Sequence, residues 1–190
     1  LGTIGSGAGV TDESAKLLTF LQQTQYKGYV VMMALAQRAA YGPLESPLSL
    51  WLTEEGIRAS AALDTICVDG LIATYGSLNG YDLFVPGAPL PKASVDVDYR
   101  DSIPGLKPGA SPLLMLNGRA DDLLPRELVV SWVEDTCDRT GMAIQLEWFD
   151  TGHRVPYEDP QAAAAVIFPW IEARFAGASA PSSCGNVPYS

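Results

Sequence analysis

Two short segments of this 190-residue chain carry the side chains best suited to proton transfer. The first is Gly118-Arg119-Ala120-Asp121-Asp122-Leu123-Leu124-Pro125. The second, Asp150-Thr151-Gly152-His153, ends in the single histidine of the sequence. An imidazole accepts and returns protons near neutral pH because its unperturbed pKa is about 6.5. To act as base toward a serine hydroxyl it needs a carboxylate on its other ring nitrogen, which fixes the tautomer and stabilises the imidazolium. Asp121 and His153 therefore read as two members of a Ser-His-Asp set. Asp121 is preferred over Asp122 because it leaves the preceding apolar run directly and is held more rigidly. The third member is missing, since no serine sits in a Gly-x-Ser-x-Gly turn. Ser6 is set aside as nucleophile: its neighbours two positions away are Ile4 and Ala8, not the pair of glycines that such a turn uses. Each residue also has an ordinary reading, the histidine as a surface or packing residue and the Asp-Asp pair as a helix cap.

The elements around these segments explain why they should meet. Leu113 to Leu116 is a continuous apolar run suited to a strand buried on both faces. A helix follows over 125–140, opened by Pro125, with Val129, Trp132, Val133 and Thr136 on one face, and closed by Gly141. Met142 to Trp148 then alternates as a strand does. Strand, helix, strand is a βαβ unit with parallel strands and a right-handed crossover. Its two loops leave the same sheet edge, where ligands of open parallel sheets bind. A last helix runs from Asp159, its N-cap, to Phe175, with Val166, Ile167, Trp170 and Ile171 facing the sheet and a kink expected at Pro169.

The whole chain is expected to divide into five segments. Residues 1–11 are the end of a core strand and a glycine-rich turn. Residues 12–85 are a helical layer, with a first stretch split at Gly28 and one long helix from Thr53 to Tyr75-Gly76. Residues 86–111, rich in proline, are a connection. Residues 112–177 are an α/β core, and 178–190 a tail that would be loose unless stapled.

Composition narrows the partners. Twelve Lys and Arg against 22 Asp and Glu give a net charge of -10, which disfavours nucleic acid and anionic membrane surfaces. No apolar run reaches the roughly 18 residues of a membrane span. The start, Leu1-Gly2-Thr3, has neither an initiator Met nor a charged leader. Cys67, Cys137 and Cys184 show no Cys-x-x-Cys spacing, so no metal site or other cofactor is implied. One disulfide with one orphan thiol and three buried free thiols both remain open. A Cys137–Cys184 bridge would staple the tail to the body.

The order acid loop, helix, alternating strand, Gly-His loop and final helix reproduces the acid-before-histidine order of α/β-hydrolases. More specifically, Pro112 to Pro125 resembles the family pattern of a strand followed by G-x-x-D-x-x-V-P, with Leu124 at the usual Val. Gly152-His153 resembles the base loop. Phe168 to Gly177, followed by Pro181-Ser-Ser-Cys184, is similar to the C-terminal end of secretory lipases of fungi and actinobacteria. The resemblance implies the C-terminal part of an α/β-hydrolase fold, with residues 12–85 as a helical lid, Asp121 as triad acid and His153 as base. It implies a Cys137–Cys184 bridge, and for Cys67 a partner in the N-terminal half of the same protein. It implies a secreted enzyme that hydrolyses lipid esters through an acyl-enzyme. The serine and the oxyanion donors would come from segments before Leu1, so the chain alone would be inactive. Tyr26, Tyr29, Met32, Met33, Trp51 and Tyr81 would line an acyl site, with core packing the simpler reading of each. Two rival readings stand beside this one: a serine peptidase of the prolyl oligopeptidase type, and a non-catalytic binding module that keeps the fold.

Overall fold

The computed structural model describes residues 2–7, 14–87 and 111–189. Nearly all of the expected connection over 86–111, and the junction around residues 8–13, lie outside the described residues. The chain divides into two compact units, Ala15–Asp96 and Leu1–Ser14 together with Val97–Ser190.

The helical unit contains α1 (Ser14–Gln23), α2 (Lys27–Glu45), α3 (Glu54–Ser60), α4 (Val68–Tyr75) and the short α5 (Gly80–Leu83). Val30, Val31, Leu52 and Tyr75 are almost free of solvent and form its centre. Tyr26 and Trp51 are also core residues, whereas Met32 and Tyr81 are exposed. Two expectations are corrected here. The first helical stretch breaks over Thr24–Tyr26, not at Gly28. Thr24 Oγ1 takes the Tyr26 amide at 3.3 Å, a local bond that competes with helix continuation. Gly28 lies inside α2, where a Cβ would stand 2.8 Å from Leu71 Cδ2 and 2.9 Å from Tyr75 Cδ2, so the glycine serves close packing of α2 on α4. Nor is 53–76 one helix. Thr53 does cap α3, its Oγ1 accepting from Gly56 N at 3.0 Å. The chain then tightens into a 3-10 turn over Ala61–Asp64, and hydroxyls of Ser60 and Thr65 donate to carbonyls three residues back before α4 restarts at Val68.

The other unit is built on three parallel strands, β1 (Thr3–Ser6), β2 (Leu113–Gly118) and β3 (Ile144–Phe149), in that spatial order. Central β2 buries Leu114, Met115 and Leu116 completely, as its unbroken apolar run requires, and the polar Asn117 with them. In β3, buried Ile144, Leu146 and Trp148 alternate with half-buried Gln145 and Glu147. Between them α6 (Arg126–Thr140) buries Val129, Trp132, Val133 and Thr136, and stops at Gly141 with φ +64°. The short α7 (Val155–Glu158) leads into α8 (Pro160–Phe175). Asp159 caps α8 by accepting from Ala162 N at 3.0 Å. The helix continues past Pro169 and lays Val166, Ile167, Trp170 and Ile171 on a cluster formed by Leu114, Leu116, Phe149 and Val155.

The tail is held along β3. Cys137 and Cys184 are joined by a disulfide with Cα atoms 5.6 Å apart. Ser183 N donates to Ile144 O at 2.6 Å, and Ser183 Oγ accepts from Leu146 N at 3.0 Å. Trp148 Nε1 donates to Pro188 O at 2.7 Å, and the Tyr189 hydroxyl donates to Glu127 Oε1 at 2.8 Å. Cys67 is an exposed free thiol.

The bridge closes a span of 47 residues, for which chain entropy allows at most about 4 kcal/mol. Cys184→Ser is expected to cost about 2–4 kcal/mol in urea denaturation and to raise amide exchange at Ser183. Reductant should bring the unaltered chain to the same midpoint. An unchanged midpoint would mean that the tail's hydrogen bonds suffice without the bridge.

Candidate active site

Strands β2 and β3 end in register, with Gly118 opposite Phe149. Their ladder continues into the loops, because Arg119 N donates to Phe149 O at 2.7 Å and Ala120 N to Thr151 O at 3.0 Å. This zipper needs a residue without a side chain at the strand end. A Cβ on Gly118 would stand 2.0 Å from Gly152 O and 2.3 Å from Thr151 O, inside the backbone of the histidine loop.

Immediately beyond, Asp121 turns the chain into α6. Its Oδ1 accepts from the amides of Leu123 and Leu124, both at 2.9 Å, an Asx-type arrangement that fixes the carboxylate plane. Its Oδ2 lies 2.9 Å from His153 Nδ1. The Asp121 side chain is 2% exposed and that of His153 34%, so the acid is buried behind the imidazole. Nε2, the opposite nitrogen, has no hydrogen-bond partner among the described residues. Asp122 is exposed and acts on the imidazole only through its charge.

Two further groups shape this site and were missed in the sequence. Gly7, just past β1, has φ +57°, and a Cβ there would be 2.8 Å from His153 Cε1 and 2.9 Å from His153 O. The end of β1 thus abuts the imidazole, and only glycine fits. Glu158, the last residue of α7, accepts from Gly152 N at 2.6 Å and from Arg154 N at 3.0 Å. The glycines after β1 and at the end of β2 were readable as sites of close approach. Glu158 gave no signal, because the sequence offered no element over 155–158. Ser6 is exposed and makes no hydrogen bond to His153. Among the described residues, no group of three His, Cys, Asp or Glu could hold a metal ion, and no helix is long and apolar enough to cross a membrane.

The electrostatics follow from this geometry. The His153 pKa is raised above its ordinary value, first by the hydrogen bond to Asp121, against partial burial, with the charges of Asp121, Asp122 and Glu158 adding to the rise. The pair can therefore take a proton on Nε2 and stabilise the resulting imidazolium from the far side.

No protein-family model and no curated protein matches the chain. Among solved structures, Candida antarctica lipase A superposes with a TM-score of 0.70 at 18% identity, over 98% of this chain and 44% of the lipase. The same lipase in its closed state gives 0.72 at 16% identity, over 97% and 44%. The chain has a partial, lipase-like α/β-hydrolase fold. It spans less than half the length of the lipase it resembles. A structural likeness at identity this low shows the fold alone, and chemistry must be argued from the residues themselves.

Because the sequence has one histidine, its ring resonance reports the site without interference. Asp121→Asn is expected to bring the His153 pKa down to about 6.5 or below, and Asp122→Asn to lower it only slightly. A raised folded-state pKa stabilises the fold fully below the unfolded value of about 6.5, and that contribution disappears as pH rises through the higher folded value. The stability gap between the unaltered chain and Asp121→Asn should therefore be wider at pH 5 than at pH 9. A larger pKa drop in Asp122→Asn would reassign the acid.

Proposed function

We propose that Asp121 and His153 are the acid and base of a serine-dependent lipase or carboxylesterase, of which this chain forms the C-terminal part. The observation that carries the proposal is the buried Asp121 carboxylate on His153 Nδ1 at 2.9 Å, at the strand ends of a lipase-like fold. In the reaction Nε2 removes the proton from a serine hydroxyl as its oxygen attacks the ester carbonyl. The proton then passes to the departing alcohol, leaving an acyl-enzyme. A water molecule repeats the sequence and releases the acid. Throughout, the Nδ1 proton stays on the imidazole, and Asp121 balances the charge.

The serine and the oxyanion donors belong to the N-terminal half of the same protein, which is the partner this reading requires. Without them, hydrolysis by the chain alone would be negligible. Lipid esters are the favoured substrates. Support for that choice is a mainly apolar cavity of about 490 Å³ in the helical unit, bordered by Met32, Leu35, Ala39, Ile66 and Leu71. The disulfide supports secretion, since such bridges persist in oxidising compartments.

The test is to express this chain together with the coding sequence that precedes it and to assay an aryl ester, a long-chain ester and a peptide amide. Ester hydrolysis is expected, with His153→Ala reducing kcat by about 10³-fold or more. Because the base must be neutral, the acid limb of kcat/KM should lie above pH 6.5, the ordinary imidazole value. Full activity in His153→Ala would refute the assigned base. A preference for the amide would move the enzyme to the peptidases, and absence of hydrolysis would favour a binding module.

A further inference from the structure

The sequence Gly152-His153-Arg154 is gripped by a single carboxylate. Glu158 Oε2 takes the amide before the histidine at 2.6 Å, and Oε1 takes the amide after it at 3.0 Å. The grip is close enough that a Cβ on Gly152 would be 3.1 Å from Glu158 Oε2. As a helix feature this is similar to the reciprocal half of a capping box but set one residue later: from the fourth helical position the acidic side chain reaches back to the N-cap amide of Arg154 and to the amide two residues before it. Here α7 is one turn long, runs over Val155–Glu158 with Pro156 at its start, and begins two residues after the base.

We infer that Glu158 is a positioning residue for His153, fixing the peptide on both sides of it so that Nδ1 meets Asp121 and Nε2 faces the opposite way. Asp121 holds one ring nitrogen, Gly7 walls one side of the ring, and Glu158 sets the backbone from which the ring projects. The charged groups facing the ring are Asp121 and Asp122 from the acid loop and Glu158 from α7. Arg154, next to the ring in sequence, is drawn aside over Tyr157 at 5.0 Å. From β1 the neighbour is the uncharged Gly7. The inference rests on the base role proposed above and extends it to an exposed side chain that never touches the imidazole.

The isotope-labelled chain tests this by NMR. In Glu158→Gln the amide side chain can accept only one of the two bonds, and Gly152 and Arg154 should exchange about tenfold faster or more, with Leu123 and Leu124 unchanged. The His153 pKa should fall by about half a unit. Glu158→Asp separates position from charge, because the carboxylate stays but falls one methylene short. If Glu158 positions the base, this variant too lowers the His153 pKa and speeds exchange of the Nδ1 proton. If His153 titrates in Glu158→Asp as in the unaltered chain, the inference is overturned. A measurement without substitution guards against misfolding: Gly152 and Arg154 amide protons should shift together with one carboxyl titration, and independent behaviour would also overturn it. No ester is needed for any of these readouts. Their failure would leave the acyl-transfer reading standing, and an inactive full-length protein with these shifts intact would sink that reading alone.

Discussion

The approach of two peptide backbones at the end of β2 is the constraint on which the candidate site depends. Parallel strands alone bring neighbouring loops to the same edge, but about 4.8 Å separates their backbones, and side chains at the strand ends push the loops apart. Gly118 removes that obstacle. With no Cβ, the carbonyls of Thr151 and Gly152 pass where a side chain would stand, and the amides of Arg119 and Ala120 continue the ladder beyond the last residue of the sheet. The acid loop and the histidine loop are in effect one extended backbone pair. A slip of one residue between β2 and β3 would move Gly118 off this crossing and turn the face of every side chain on one strand, so register and site are specified together.

The carboxylate is then fixed by a division of its two oxygens. Oδ1 is committed to the amides of Leu123 and Leu124, and Oδ2 is left for His153. Rotating the side chain away would break two hydrogen bonds to a charged acceptor, each worth about 1.5–3 kcal/mol. Those same amides open the path into α6, so the turn that starts the helix also orients the acid. The imidazole, by contrast, is only partly covered and is restrained through its backbone and its neighbours. This asymmetry suits a pair in which one member holds a fixed charge and the other must exchange protons with an incoming group.

How much of this was legible in the sequence depended on the range of the interaction. The β2 run, the alternation of β3, Gly141 after α6 and Asp159 before α8 are local signals, and each element appears where its pattern placed it. The choice of Asp121 as the residue nearest the strand end also followed from local reasoning, and the geometry puts Asp121, not Asp122, on the imidazole. Glycines misled where their role was tertiary. Gly28 reads as a break but is a contact surface for Leu71 and Tyr75, and nothing within its own helix could reveal that. Likewise the helix expected over 53–76 fails because Ser60 and Thr65 divert their hydroxyls to nearby carbonyls, a competition that apolar spacing does not register. Gly7 could be read as a place of close approach but not what it approaches, and Glu158 acts across loops that meet only in the folded chain, a meeting of which a single sequence holds no trace.

The tail, though far from the site in sequence, bears on the acid loop through Arg126. This guanidinium lies over the rings of Trp148 and Tyr189, at 5.7 and 5.9 Å, and its Nη2 donates to Arg119 O at 2.9 Å, two residues before Asp121. Tyr189 is kept there by its hydroxyl on Glu127, and Trp148 by its indole nitrogen on Pro188. A long cation laid between two aromatic faces loses much of its freedom, so the single bond it gives to Arg119 is made at lower entropic cost. The tail can supply its ring only while it lies along β3, and the Cys137–Cys184 bridge ties it there. The chain from Cys184 to Tyr189, and then the contacts of Tyr189 with Arg126 and of Arg126 with Arg119, therefore lead from the disulfide to the backbone that carries the acid. It explains why a segment of weak intrinsic order is fastened so closely to the one part of the fold where position matters most.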